Sequence, residues 1–157
     1  MTRSRILFVC TGNICRSPTA EAVARGLAVN QGVDHLFQFD SAGIEDYHVG
    51  DPPDPRSVKA AAKRGYDLTG LRARRVTDFD FITFDHILAM DRGHLKLLER
   101  VCPSVRRQKL GLFLNYSERF EEDEVPDPYY GNGNGFEHVL DLIEDAAMQL
   151  ILKLTRK

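Results

Sequence analysis

Cys10 and Arg16 are the residues of this chain best suited to chemistry, and five residues lie between them. Cys10 ends the apolar run Ile6-Leu7-Phe8-Val9, and Ser17-Pro18, directly after Arg16, opens an amphipathic segment of helical period. A strand, a tight loop and a helix N-terminus in that order gather backbone N–H groups at one point, and the helix dipole adds positive potential there. Such a loop holds an oxyanion. The planar fork of Arg16 can clamp two oxygens of a phosphate at once, and the same field favours the thiolate of Cys10. A sulfur nucleophile inside an oxyanion cradle points to phosphoryl transfer onto cysteine.

The surrounding residues carry a structural and a chemical reading side by side. A free cysteine is usually a small buried hydrophobe, but the glycine-bearing loop and helix start beside Cys10 favour a reactive thiol. Gly12 lets the backbone approach a ligand closely. Ser17 is expected to cap the helix that follows. Asp127-Pro128 is a common turn opening. With a cysteine nucleophile and Tyr129-Tyr130 in the same chain, Asp127 becomes the candidate general acid for a departing alkoxide or phenolate. Asp123 and Glu124 sit in an acidic run and read as a solvated edge. Tyr47, Tyr129 and Tyr130 could wall a cleft and stack on a substrate ring, with His48 beside them. Arg72, Arg74 and Arg75 read as a solvated basic face. Cys15 either packs the loop or serves as a thiol that traps oxidised Cys10 as a disulfide. Cys102 reads as packing.

These residues need a scaffold, and the chain supplies alternating strands and helices. Arg5–Cys10, Phe37–Ser41, His86–Met90 and Lys109–Phe113 are expected strands, the last weakened by Gly111. Ala20, Val23, Ala24, Leu27 and Ala28 recur at helical spacing before Gly32. A stiff loop with Pro52, Pro53 and Pro55 precedes a helix that turns Val58, Ala61 and Ala62 inward and ends near Gly65. Leu95, Leu98 and Val101 mark another helix, stopped by Pro103, and Phe136 to Leu154 trace a long C-terminal one. The pattern predicts an α/β fold, a doubly wound, four-stranded parallel sheet flanked by helices, with the phosphate-binding loop after the first strand.

Composition narrows the classes. At 157 residues a single domain over 1–157 is expected. Lys+Arg 21 against Asp+Glu 23 leaves a net charge of −2, which gives no general attraction to nucleic acid or membrane. The N-terminal apolar run is too short for a signal peptide's core, and no stretch reaches the length of a transmembrane helix. Three cysteines, two of them in one tight loop, do not form a secreted disulfide framework, so a cytoplasmic, reducing compartment is expected. Five scattered histidines form no ligand-spaced pair, and neither metal nor other cofactor is expected.

The stretch from Val9 to Glu21, VCTGNICRSPTAE, resembles the signature of the low-molecular-weight protein tyrosine phosphatases. The likeness continues through Asp40-Ser41-Ala42-Gly43, Val49 to Arg56, Ile87-Leu88-Ala89-Met90-Asp91 and Val125-Pro126-Asp127-Pro128-Tyr129-Tyr130. The resemblance implies hydrolysis of phosphotyrosine in proteins, with Cys10 as nucleophile, Arg16 as phosphate clamp and Asp127 as acid. It implies that Thr11, Gly12, Asn13, Ile14, Cys15, Ser17 and Ser41 form and support the loop, with Asn13 left-handed and paired to Ser41, and Ser17 stabilising the leaving thiolate. Tyr47, His48, Tyr129 and Tyr130 fall at the substrate rim. The implied partners are phosphotyrosine proteins, for a chain expected to be a monomer with room for weak self-association. One departure is Leu71, where many relatives carry a histidine that pairs with an aspartate matching Asp91; here Asp91 must find another partner. Two rival enzymes share the loop. An arsenate reductase of related fold needs a relay of further cysteines that Cys102 alone cannot supply. A protein arginine phosphatase typically has threonine in place of Ile14 and lacks the second tyrosine. An idle phosphotyrosine-binding module would be expected to lack Cys10, Arg16 or Asp127.

Overall fold

The computed structural model describes residues 3–129 and 134–156. Strand β1 (Ser4–Cys10) is buried from Ile6 onward because it lies in the middle of the sheet. It pairs with β2 (Phe37–Gly43) on one side and β3 (His86–Ala89) on the other, and β4 (Leu110–Leu112) lies outside β3. Every pairing is parallel and the order is β2-β1-β3-β4. The expected four-stranded parallel sheet is therefore present, with β2 running past Ser41 to Gly43.

Side chains alternate along β1 between two apolar layers. Ile6 and Phe8 pack with α1 (Arg16–Asn30), α2 (Pro55–Ala62) and α5 (Asn134–Thr155); Leu7 and Val9 pack with α3 (Asp78–Thr83) and α4 (Arg92–Val101). A strand covered on both faces reads as a continuous apolar run rather than an alternating one. Phe8 anchors its layer, with the ring of Phe113 5.0 Å away edge-on and that of Phe39 6.2 Å away.

Local chemistry fixes the helix starts that matter. Asp54 caps α2 by accepting from the Arg56 N–H at 2.8 Å, and Pro55 takes the first helical position. Asp91 caps α4 by accepting from the His94 N–H at 2.9 Å. Helix α3 was not expected from the sequence; it is short, and a reciprocal Thr77–Asp80 capping box sets its start. The expected Ser17 cap is corrected: α1 begins at Arg16, Cys15 occupies the cap position, and no side chain caps it. Ser17 lies inside the first turn, and its hydroxyl is used elsewhere.

From β1 the chain crosses to β2 on one side and later returns to β3 on the other. The strand order reverses at β1, and open α/β sheets bind ligands at the carboxyl ends of the strands flanking such a point. Loop 11–15 leaves β1 there.

Candidate active site

Loop 11–15 is shaped by one left-handed residue and one glycine. Asn13 has φ 58°, a conformation in which asparagine is favoured over most other side chains. Gly43, at the end of β2, lets the loop pass at backbone contact. A Cβ there would sit 2.8 Å from the Thr11 carbonyl oxygen and 3.1 Å from the Asn13 nitrogen. Over Gly12 the close neighbour is His48, whose ring would stand 2.8 Å from an added Cβ.

Hydrogen bonds behind the loop run in a fixed direction. The Arg74 N–H donates to Asn13 Oδ1 at 3.0 Å, which turns the amide so that Nδ2 donates to Ser17 Oγ and Ser41 Oγ, both at 2.9 Å. Ser41 passes its own proton to Glu21 Oε1 at 2.7 Å. Burial pushes the Glu21 carboxyl above its ordinary range, against the pull of Ser41 and Arg25. Ser17 Oγ, already accepting from Asn13, lies 2.9 Å from Cys10 Sγ and 3.4 Å from the Ala42 carbonyl. The hydroxyl has one proton to give, and pointed at sulfur it would stabilise negative charge there.

Arg16 is 3 % exposed and is gripped from several sides. Nη1 donates to Asp91 Oδ2 and to the Val125 carbonyl, each at 2.9 Å. Nη2 lies 3.4 Å from Thr11 Oγ1, 3.4 Å from His94 Nε2 and 3.6 Å from Asp127 Oδ2. Asp91 thus finds its partners in Arg16 and the start of α4. Burial would raise its carboxyl, but the His94 N–H and the Arg16 guanidinium outweigh burial and hold it below the usual range.

A cavity of about 180 Å³ opens above the loop. Cys10, Thr11, Gly12, Ile14, Cys15 and Arg16 line its floor and near wall, and Tyr47, His48, Asp127 and Tyr129 line the rest. Asn13, Ser17 and Ser41 stand behind it as supports. Asp127 Oδ1 accepts from the Tyr129 N–H at 2.9 Å. Arg56 ties this segment down: it donates to the Tyr129 carbonyl at 3.0 Å, forms a two-point pair with Asp54, and lies over the rings of Tyr129 (5.3 Å) and Phe136 (4.8 Å). Tyr47 is 77 % exposed. Tyr130 lies outside the described residues. Cys15 is buried, and burial first, then the charge of Asp54, pushes its thiol up to about 12. Among the described residues no three His, Cys, Asp or Glu side chains gather to hold a metal ion.

One sequence reading changes. Arg74 is not a solvated cation: it pairs with Asp80 at 3.0 Å and Asp40 at 3.1 Å while its backbone holds Asn13. Arg75 stays exposed, with Nε donating to the Ile44 carbonyl at 3.2 Å. Asp123 and Glu124 lie on an exposed edge as expected, ion-paired with Arg92. His94, Glu21 and Arg56 were missed altogether. His94 follows the Asp91 cap by three residues, which signals a helix start, but no spacing ties it to Thr11.

The low molecular weight phosphotyrosine protein phosphatase family model matches residues 5–157. The chain is 42% identical over 150 residues to a low molecular weight protein-tyrosine-phosphatase of Streptomyces coelicolor, covering 94% of this chain and 91% of that one. It is 44% identical over 136 residues to the low molecular weight phosphotyrosine protein phosphatase of Sus scrofa, covering 85% of each. A crystal structure of a protein tyrosine phosphatase from Entamoeba histolytica superimposes with a TM-score of 0.94 at 41% identity, covering 98% of this chain and 97% of that one.

Proposed function

The chain belongs to the low-molecular-weight phosphotyrosine protein phosphatase family, and we propose on that premise that it hydrolyses phosphotyrosine in proteins through a cysteinyl-phosphate intermediate, with no metal or other cofactor. One observation carries this reading. The Cys10 sulfur, the Arg16 fork and the Asp127 carboxyl border a single cavity, and Asp127 Oδ2 lies 3.6 Å from Arg16 Nη2.

In the first step the Cys10 thiolate attacks phosphorus and the P–O bond to the tyrosine oxygen breaks. Asp127 gives its proton to the departing phenolate. Arg16 and the amides at the start of α1 hold the equatorial oxygens, where charge is spread in the transition state. In the second step water attacks the phosphorus of the cysteinyl-phosphate and Asp127 takes its proton. The sulfur then leaves as a thiolate, stabilised by the Ser17 hydroxyl 2.9 Å away.

The reading extends to the rest of the site. Thr11, Gly12, Asn13, Ile14 and Cys15 form the cradle, with Ser41 behind it; Tyr47, His48 and Tyr129 form the rim that receives the ring, a role the resemblance also gives to Tyr130. Ile14 gives the wall a branched apolar side chain, which favours a phosphorylated phenol over phosphoarginine. Residues 1–157 form one domain acting as a monomer in the cytoplasm. No described helix is long and apolar enough to cross a membrane. Peroxide converts the Cys10 thiolate to a sulfenic acid, the Cys15 thiol displaces its hydroxyl as water to form a disulfide, and an external thiol reductant then restores both cysteines.

Purified protein in excess chelator is expected to turn over both phosphotyrosine peptides and nitrophenyl phosphate. Cys10→Ser is expected to keep the fold and lose turnover. Activity of that variant within about tenfold of wild type would overturn the nucleophile. Comparable kcat/KM for phosphotyrosine and phosphoarginine would overturn the substrate class.

A further inference from the structure

His94 is 5 % exposed, yet its Nδ1 is a buried side-chain nitrogen with no hydrogen bond among the described residues. We propose that His94, as a neutral imidazole, is a positioning residue for phosphate binding: its Nε2 lone pair holds the Thr11 hydroxyl and aims the outer nitrogen of Arg16 into the cavity. The inference rests on the phosphatase reading and assigns a role within that site.

The tautomer follows from the charges around the ring. Nδ1 lies 3.2 Å from Asp91 Oδ1, close but outside hydrogen-bonding geometry. A proton on Nδ1 is attracted by that carboxylate, whereas a lone pair there is repelled. The proton therefore sits on Nδ1 and the lone pair on Nε2. Thr11 Oγ1 is 2.8 Å from Nε2 and donates to it. The oxygen of Thr11 is then left to accept from Arg16 Nη2 at 3.4 Å, and Nε2 lies at the same distance from Nη2.

This arrangement completes the orientation of the guanidinium. Nη1 is committed to Asp91 and the Val125 carbonyl, which leaves Nη2 as the outer nitrogen. With the Thr11 oxygen accepting one N–H of Nη2 on that side, the other N–H can face the cavity. A protonated ring would instead set a second cation against Arg16. Burial, with the Arg16 charge, holds the ring's pKa down at about 4 against the opposing pull of Asp91, Asp127 and Glu124.

The test uses full-length protein and three readouts: inorganic phosphate affinity by calorimetry, KM and kcat on nitrophenyl phosphate, and thermal melting. Wild-type turnover is the control; if it is absent, the phosphatase reading fails rather than this one. His94→Leu fills the volume without an acceptor and is expected to weaken phosphate binding and raise KM by about tenfold, with a smaller fall in kcat. His94→Gln presents an acceptor near the Nε2 position and is expected to restore binding. Thr11→Val, at an exposed position, is expected to match His94→Leu. The double variant should then be no worse than either single one, because ring and hydroxyl act as a unit. Wild-type phosphate affinity in Thr11→Val, losses that multiply in the double variant, or a His94→Gln as impaired as His94→Leu would each overturn the proposal. Should His94→Leu fail to fold, the Thr11→Val affinity and the Gln variant decide it.

Discussion

Cys10, Asn13, Arg16 and Ser17, on one side of the cavity, are at most 3 % exposed, whereas the Asp127 side chain and Tyr129, across from them, are 38 % and 39 % exposed. The first group comes from one short stretch at the end of the central strand, and each member has partners that also have partners. The second comes from a segment more than a hundred residues later, anchored through the Val125 N–H to the Met90 carbonyl at 2.8 Å and through Arg56. The difference fits the two roles proposed for these groups. Stabilising charge in a transition state works best with dipoles that need not reorganise. An acid that serves both a leaving phenol and an incoming water must stay open to both. The two walls should therefore fail in different ways when broken.

The largest effect is expected on the buried wall. Arg16→Lys replaces a fork held at Asp91 and Val125 with a point charge that cannot make both contacts and still face phosphate. Loss of arginine's grip on the transferring phosphoryl group is expected to cost about 10³–10⁵ in kcat/KM. The loss should be equal for phosphotyrosine and nitrophenyl phosphate, since both present the same phosphoryl group. Steady-state kinetics on the two substrates checks it.

Breaking the open wall should discriminate between the same substrates. The phenol of tyrosine has a pKa of about 10 and leaves poorly without a proton, whereas a nitrophenol needs that proton less. Asp127→Asn is expected to lose about 10²–10⁴-fold on phosphotyrosine and distinctly less on nitrophenyl phosphate. Inorganic phosphate affinity should persist. Equal losses on both substrates would make Asp127 a positioning group and turn the search for the acid to Asp91.

The sequence exposed the buried wall because that wall is contiguous: strand, loop and helix start follow one another from Ser4 to Asn30. The parallel sheet was legible for a related reason, since each strand is a short apolar run set between helices. What stayed hidden depends on distant pairing. Ser17 looked like a cap because serine before proline commonly starts a helix. Its hydroxyl is instead shared between Asn13 and the Cys10 sulfur. Arg74 looked solvated because nothing local reveals Asp40, 34 residues earlier, or the turn that brings Asp80 back. His94 carries no spacing relation to Thr11, 83 residues before it. Asp127 stood out only in company, since Asp-Pro alone reads as a turn and it took Cys10 and the following Tyr129-Tyr130 to make it a candidate acid.

The buried wall should also reveal itself in stability against pH. His94 has an ordinary pKa of 6.5 and about 4 in the fold. Between those values the unfolded chain takes up a proton that the folded chain does not, so stability falls as the pH drops through that window. The full shift corresponds to about 3 kcal/mol. Denaturant unfolding of wild type at pH 7 and pH 4 should show a larger loss than His94→Gln shows, the difference being this contribution. Equal losses would mean that the ring is not held neutral by its burial.

The smallest effect is expected four residues from the largest on the open wall. Asp123 and Asp127 are both carboxylates in one exposed segment, but only Asp127 was read from the sequence as an acid. Asp127 borders the cavity and reaches Arg16; Asp123 is turned to the exposed Arg92, to which it is ion-paired. The interaction with Arg92 holds its carboxyl below the usual range, but the pair is open to solvent and screened. Exposed pairs of this kind contribute little to stability. Asp123→Asn should therefore change kcat/KM on either substrate by no more than about twofold, and melting should shift within the range that an exposed pair allows. Glu124 still accepts from the Arg92 N–H at 2.7 Å and keeps the segment attached to α4. If Asp123→Asn instead reproduces the substrate-dependent loss expected of Asp127→Asn, proton delivery belongs to the acidic segment as a whole, and the open wall is less specific than its geometry indicates.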